Sequence, residues 1–589
     1  MNLKVLMDAH RNNPRLFSLA DRLSFSQPQS IYLRNLHGSA PALVIAAIFQ
    51  HESCSQLNNL IVCEDAESAA YLQNNLESLT SALDIFYFPS SFKNRKNFRL
   101  LNSSHVMLRT EALMKWSTAP GLGNVNKKIL VTYPEALFEK VVQPSTISGN
   151  LISIKTGDVL NVDGVIERLV NYGFTRTDFV YEPGQLALRG GILDIYSYGN
   201  EKPYRVELFG NDVDSIRIFD PETQLSERKL LQVNIIPNVE AHFESEEKIS
   251  LFDFLPENTV CWYQDVELTR EKLLTQEEDL QSFLELQQNR GAVREEEEEK
   301  ELKVEVTSKD FITAADLQSK LPAMHLVEFG LRPTIQHSFE IEFHTREQPA
   351  FNRQFDYLIR DLKSWEQKGF QLFLFAENPR QLERLHSIFE DLKAEIHFTP
   401  LPVSIHEGFI DEDLKLVCYT DHQIFQRYHK YRIKQAYNKN KALTLRTLKE
   451  LQPGDYVTHI DHGVGVYSGL QKIEVSGKLQ EAVRIIYKDS DILYVNINSL
   501  HKIAKYTGKE GSQPRINKLG SDAWNKLKEK TKTKVKELAF DLIKLYAQRK
   551  AQQGFQHSPD NYMQTELEAS FIYEDTPDQG KSTADVKKD

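Results

Sequence analysis

A loop that holds nucleotide phosphates needs glycines whose backbone N–H groups can face the ligand, a lysine for the β and γ charges, and a Ser or Thr hydroxyl on the magnesium. The segment Gly38-Ser39-Ala40-Pro41-Ala42-Leu43-Val44-Ile45 has the length of such a loop without its chemistry. Leu43, Val44 and Ile45 stand where the second glycine, the lysine and the hydroxyl would be. Val44 brings no charge and Pro41 removes a backbone donor, so a loop–helix junction that binds no ATP is expected. His459 and His462 have H-x-x-H spacing, but no further ligand lies close in sequence and metal sites take three or four; they read as strand and turn residues, with no metal site expected. The four cysteines, Cys54, Cys63, Cys261 and Cys418, form no C-x-x-C pair, which excludes a zinc ribbon by spacing and suits buried reduced thiols. No two carboxylates can be placed together from sequence, so no catalytic residue is assigned.

Two stretches suit binding instead. Arg189 precedes Gly190-Gly191; an exposed guanidinium would anchor carboxylates bidentately while the glycines let a partner approach the backbone. The stretch GLQKIEVSGKLQEAVRII reads as two strands around a turn, whose edge could accept a partner strand.

The elements that must position these groups divide the 589 residues into several domains. From 1 to 147 the apolar runs LVIAAIF, NLIVCED, FYFPS and KKILVTY alternate with helical segments, predicting an α/β domain with a mostly parallel sheet. From 148 to 238 an amphipathic helix carrying Val165, Leu169 and Val170 and stopped by Gly173 leads into three strand-like stretches, LALRGGILDIYSY, KPYRVELFG and VDSIRIFDPET, whose short turns predict an antiparallel meander. A segment at 239–334 includes the acidic run Glu295 to Glu299, read as a solvated face. Residues 335–428 form a small α/β unit with FQLFLFAE and LKLVCYTD as strands around a helix. A basic linker follows at 429–452, with no acid between Arg427 and Lys449, then an all-β domain at 453–506 with the rhythm of an SH3- or Tudor-like barrel. A linker and long basic amphipathic helix occupy 507–555, with Trp524, Leu527, Val535, Leu538, Leu542 and Leu545 at helical spacing. Net charge is -12, from 71 basic and 83 acidic residues, which argues against wholesale electrostatic DNA binding. No signal segment, lipidation motif or apolar run near the ~18 residues of a membrane span is present, so a cytoplasmic, membrane-free location is expected.

The degenerate P-loop followed by LALRGGILDIYSYGNEKPYRVELFGNDVDSIRIFDPETQ resembles the UvrB-like module of the bacterial transcription-repair coupling factor (Mfd) family. The segment GDYVTHIDHGVGVYSGLQKIEVSG with ILYVNINSLHKIAKY resembles that family's RNA-polymerase-interacting domain, related to CarD. On this resemblance 1–147 and 239–334 are UvrB-like domains 1a and 1b, and 148–238 is a UvrA-binding domain 2 contacted through Arg189, Arg176 and Tyr196. Docking on the RNA polymerase β subunit would run through Leu470, Lys472, Ile473 and Glu474. The stretch at 556–589 resembles the opening of the family's motor, where Phe571, Tyr573, Glu574, Thr576, Pro577, Asp578 and Gln579 fit F-x-Y-E-x-T-P-D-Q, with Phe571 and Gln579 expected to face adenine. The resemblance implies a chain that ends before the motor's phosphate loop, with no enzyme activity and no cofactor of its own. ATP, magnesium and double-stranded-DNA translocation would belong to a full-length parent. A C-terminal domain of that parent is expected to mask the UvrA face, so this chain should bind UvrA constitutively. The rival readings are a UvrB-like or helicase ATPase acting on DNA, and a CarD-like regulator without a repair role.

Overall fold

The computed structural model describes residues 2–588 apart from 81–83, 95, 118–126, 178, 201, 222–223, 239–246, 290–303, 428, 430–452, 460, 476–477, 497–502, 507–513, 521–522, 553–556, 572–574 and 576. The acidic run and nearly all of the basic linker lie outside the described residues. The chain separates into two compact units, one formed by Met1–Leu151, Asn238–Ala436 and Pro559–Asp589, the other by Ile152–Pro237 and Tyr437–Ser558.

The first unit holds a seven-stranded sheet in the order Phe339–Glu342, Ser30–Arg34, His325–Glu328, Thr259–Tyr263, Asn58–Val62, Ile129–Thr132 and Ile85–Tyr87. Every pairing is parallel. Its central strands are mostly apolar because helices cover both faces of a parallel sheet; Leu60, Ile61, Val62, Val260 and Trp262 are all fully buried. The strands at 259–263 and 325–328 slot between those at 30–34 and 58–62, so the chain leaves for the segment at 148–238 and returns to complete the same sheet. The edge strand Phe339–Glu342 joins this sheet too, beyond the boundary expected at 335. LVIAAIF, read as a strand, is instead the body of the helix Ala40–Gln50, and residues 42–49 are buried all round. A helix enclosed on every side loses the 3.6-residue alternation that would mark it.

A smaller five-stranded sheet follows in the order Thr345–Glu347, Phe409–Asp411, Leu416–Thr420, Gln371–Phe375 and Phe398–Leu401. The two expected strands and the helix Pro379–Asp391 between them are present, with Leu372, Leu374, Leu385 and Ile388 in one core.

In the second unit, residues 175–230 form a six-stranded sheet, an antiparallel meander except for one short parallel strand at Thr175–Arg176. LALRGGILDIYSY makes two strands, Gln185–Arg189 and Ile192–Ile195, turning at Gly190-Gly191. The antiparallel pair Ile152–Lys155 and Gln232–Ile235 ties the start and end of this insertion together. In the helix Val162–Asn171 the buried side chains are Ile166 and Leu169, while Val170 is exposed, a one-residue rotation of the predicted face. Residues 456–505 form a five-stranded antiparallel sheet around Val457, Val483, Ile485, Tyr487 and Val495. The basic helix spans Ala523–Ala551 with Leu527, Val535, Leu538, Leu542 and Leu545 exposed.

Candidate functional site

The strand Ser30–Arg34, a turn at Gly38 and the helix Ala40–Gln50 reproduce the strand–loop–helix path that normally aims free helix N–H groups at phosphate. Here those groups face protein. Ser39 N–H donates to the Glu407 carbonyl at 3.1 Å, and Glu407 N–H donates to Ser39 Oγ at 3.0 Å. Asn75 completes the closure, donating from Nδ2 to Ser39 Oγ at 3.2 Å and accepting the His406 N–H at Oδ1, 2.9 Å. Gly38 has φ +55°, and a Cβ on it would lie 2.6 Å from the Gly408 carbonyl oxygen. The segment His406–Gly408 of the smaller sheet domain therefore lies directly against the loop. Leu43, Val44 and Ile45 are at most 3% exposed and belong to the core. The cavity beside the loop, about 290 Å³, is lined by Asp65, Glu67 and Glu407; carboxylates there repel a polyphosphate instead of neutralising it. Asn75 and Glu407, the partners of Ser39, escaped the sequence reading because they reach the loop from distant segments.

The meander buries both Arg189 and Tyr196, where an exposed guanidinium was expected at Arg189. Arg189 is 8% exposed, its guanidinium ion-paired with Asp194 and lying over the Phe179 ring at 4.6 Å. Asp194, fully buried, also accepts from Arg205 Nε at 2.8 Å and Nη2 at 2.9 Å. A carboxylate and two arginines so enclosed need one another, because an unpaired buried charge is costly. Tyr196 is 1% exposed and packs with Val180, Ala187 and Phe219. It is a core residue with no surface to offer a partner. Gly191 serves its own sheet: a Cβ there would sit 2.7 Å from the Leu208 carbonyl oxygen. Arg176 is exposed. So is Phe209, 68% accessible beside the turn at Gly210, a residue the sequence reading passed over.

In the antiparallel sheet Leu470, Lys472, Ile473 and Glu474 lie on the strand Gly463–Val475, opposite Val483, Glu481, Gln480 and Leu479; their side chains lie outside the described residues. The strand Tyr456–His459 pairs with residues 463–466 only, so among the described pairings residues 470–475 have a partner on one edge alone. His459 ends its strand, its Nδ1 accepting the Asp461 N–H at 3.1 Å, and His462 follows in the turn. Phe571 is exposed after the helix Tyr562–Ser570, and Gln579 is exposed in the helix Pro577–Lys588. Tyr573, Glu574 and Thr576 lie outside the described residues.

Fold and site together define a mixed α/β protein of several sheets: a nucleotide-loop frame closed on itself, an inserted antiparallel meander, and a separate antiparallel sheet with a half-open strand. Comparison with known proteins gives these parts names. The family described as "UvrB interaction domain" matches residues 152–241, and "CarD-like/TRCF RID domain" matches 451–507. Proteins named transcription-repair-coupling factor are similar along the chain: that of Bacillus subtilis (strain 168) is 29% identical over 78% of this chain and 44% of its own length. That of Staphylococcus aureus (strain USA300) is 26% identical over 94% of this chain and 52% of its own, and that of Staphylococcus haemolyticus (strain JCSC1435) 25% over 99% and 54%. The chain is similar to transcription-repair coupling factors over most of its length, and spans about half the length of the curated relatives it matches.

Proposed function

We propose that this chain is a docking scaffold that binds the β subunit of stalled RNA polymerase and recruits UvrA for transcription-coupled nucleotide excision repair. The observation that carries the reading is the closed loop, where Ser39 and Glu407 bond each other and carboxylates line the cavity, which supports docking in place of nucleotide chemistry. The polymerase contact is assigned to residues 470–475, whose one-sided pairing suits strand addition; the surrounding sheet is read as an SH3- or Tudor-like barrel. The UvrA face is assigned to the meander, now through exposed Arg176 and Phe209, with Arg189 holding the sheet beneath. ATP, magnesium and double-stranded-DNA translocation are assigned to the longer protein, at work in the cytoplasm.

Capture assays with polymerase β fragments and with UvrA test both contacts. Ile473→Asp is expected to abolish polymerase capture, and Arg176→Ala to weaken UvrA capture by ~1 kcal/mol or more. Unchanged capture in either case removes that assignment. ATP turnover by the purified chain would instead favour the helicase-like ATPase reading.

A further inference from the structure

Behind the closed loop, the smaller sheet domain brings together His406, His422 and His429, with one ring nitrogen of each within 4.8 Å of the others. The loop after Phe398–Leu401 supplies His406, the short helix Asp421–Phe425 supplies His422, and the chain just beyond supplies His429. We propose that these three histidines form a binding site for a borderline divalent transition metal of the zinc class.

The hydrogen bonds sort the ring nitrogens. His422 Nε2 donates to the His406 carbonyl at 2.6 Å, which leaves Nδ1, 3.7 Å from Asp421 Oδ1, as the nitrogen a metal would take. His429 turns Nε2 to the Ser404 hydroxyl, and His406 turns Nε2 toward the Glu407 carboxylate 4.0 Å away. The Ser404 hydroxyl is an outer oxygen of the kind that holds a ligating imidazole in orientation, whereas the Glu407 carboxylate stands beyond hydrogen-bonding distance. The inner Nδ1 atoms of His406 and His429 are 3.4 Å apart. Two zinc-bound nitrogens, each ~2.05 Å from a tetrahedral ion, lie about 3.3 Å apart, so this pair already has a ligating separation. Three imidazoles and a fourth open position suit zinc or cobalt better than calcium or magnesium, which take oxygen. Burial, with neighbouring histidines adding to it, lowers the pKa of His406 to about 4 and that of His429 to about 3.

Ligation requires some movement. The His422 and His429 rings stack 15° from parallel with centroids 4.3 Å apart, and must fan open so that their lone pairs converge. Tyr71 stacks on His406 at 3.5 Å and donates from its hydroxyl to the His429 carbonyl at 2.7 Å. An ion there would fasten the residues entering the basic stretch to the segment that closes the loop. The site is independent of the docking assignments.

The test titrates chelator-stripped full chain with Co²⁺ and then displaces it with Zn²⁺. One equivalent of Co²⁺ should give the visible bands of four-coordinate cobalt, and Zn²⁺ should bleach them. His406→Gln and His429→Gln should each weaken binding at least about tenfold, whereas exposed His386→Gln should not. In the unsubstituted chain, Zn²⁺ should also protect His406 and His429 from diethyl pyrocarbonate, read by peptide mass spectrometry, which settles the matter if a variant fails to fold. Absence of stoichiometric binding by the unsubstituted chain, binding that survives both substitutions, or unprotected histidines would each overturn the site.

Discussion

Asp194 is a residue that would matter to the proposed docking surface without touching the partner. Its carboxylate lies between Arg189 and Arg205, with aromatic rings beneath both guanidinium groups. Removing it takes away a carboxylate that both buried cations share, so Asp194→Ala should lower unfolding free energy by about 3–5 kcal/mol in a denaturant titration. Arg176→Ala, at an exposed position, should change stability by no more than ~0.5 kcal/mol while weakening UvrA capture, so the two variants separate scaffold from contact. A second residue-scale prediction concerns pH. His10 is 3% exposed, and burial lowers its pKa to about 4 despite the bond from its ring to the Leu6 carbonyl. Its folded pKa lies below the usual 6.5, so as pH falls the unfolded chain takes up the proton first. The contribution of this neutral histidine is fully present above about pH 6.5 and is lost progressively down to about pH 4. Denaturation midpoints at pH 7 and pH 5 should therefore differ less for His10→Gln than for the unsubstituted chain.

At the scale of elements, the loop closure depends on Gly38 through both its backbone angle and the space a side chain would need. Gly38→Ala would force a Cβ to within 2.6 Å of the Gly408 carbonyl at φ +55°, a strain of about 1–3 kcal/mol. A lowered melting temperature is expected, while Gly149→Ala, which meets nothing within 4 Å, should melt unchanged. The same closure shows what sequence patterning can and cannot convey. Loss of phosphate chemistry is legible locally because Leu43, Val44 and Ile45 are adjacent. The occupant of the vacated place is not, because Ser39, Asn75 and Glu407 meet only after two sheets have formed. Turn residues made most of the meander readable, yet Arg189 looked exposed because neither Asp194 nor Phe179 announces in sequence that it folds over the guanidinium. LVIAAIF misled for a related reason: full burial erases the alternation that separates helix from strand. The histidine cluster was missed because His406, His422 and His429 have no motif spacing and meet through a loop, a short helix and the chain just beyond it.

For the whole molecule, the division into two compact units gives the scaffold reading its strictest consequence. Both proposed contacts fall in the second unit, the UvrA face within 152–237 and the polymerase strand within 437–558, and they belong to different sheets. No described strand pairing joins those sheets, so a substitution on one has no backbone ladder through which to disturb the other. Energetic effects at sites without shared partners add to within a few tenths of a kcal/mol. Arg176→Ala should therefore weaken UvrA capture with polymerase capture intact, Ile473→Asp should do the reverse, and the double variant should lose both by the sum of the single effects. Binding isotherms for the four chains against each partner give that sum directly. A double variant that departs from it by more than about 1 kcal/mol would mean that the two contacts are coupled, and that the chain transmits one binding event to the other instead of holding two independent docking surfaces.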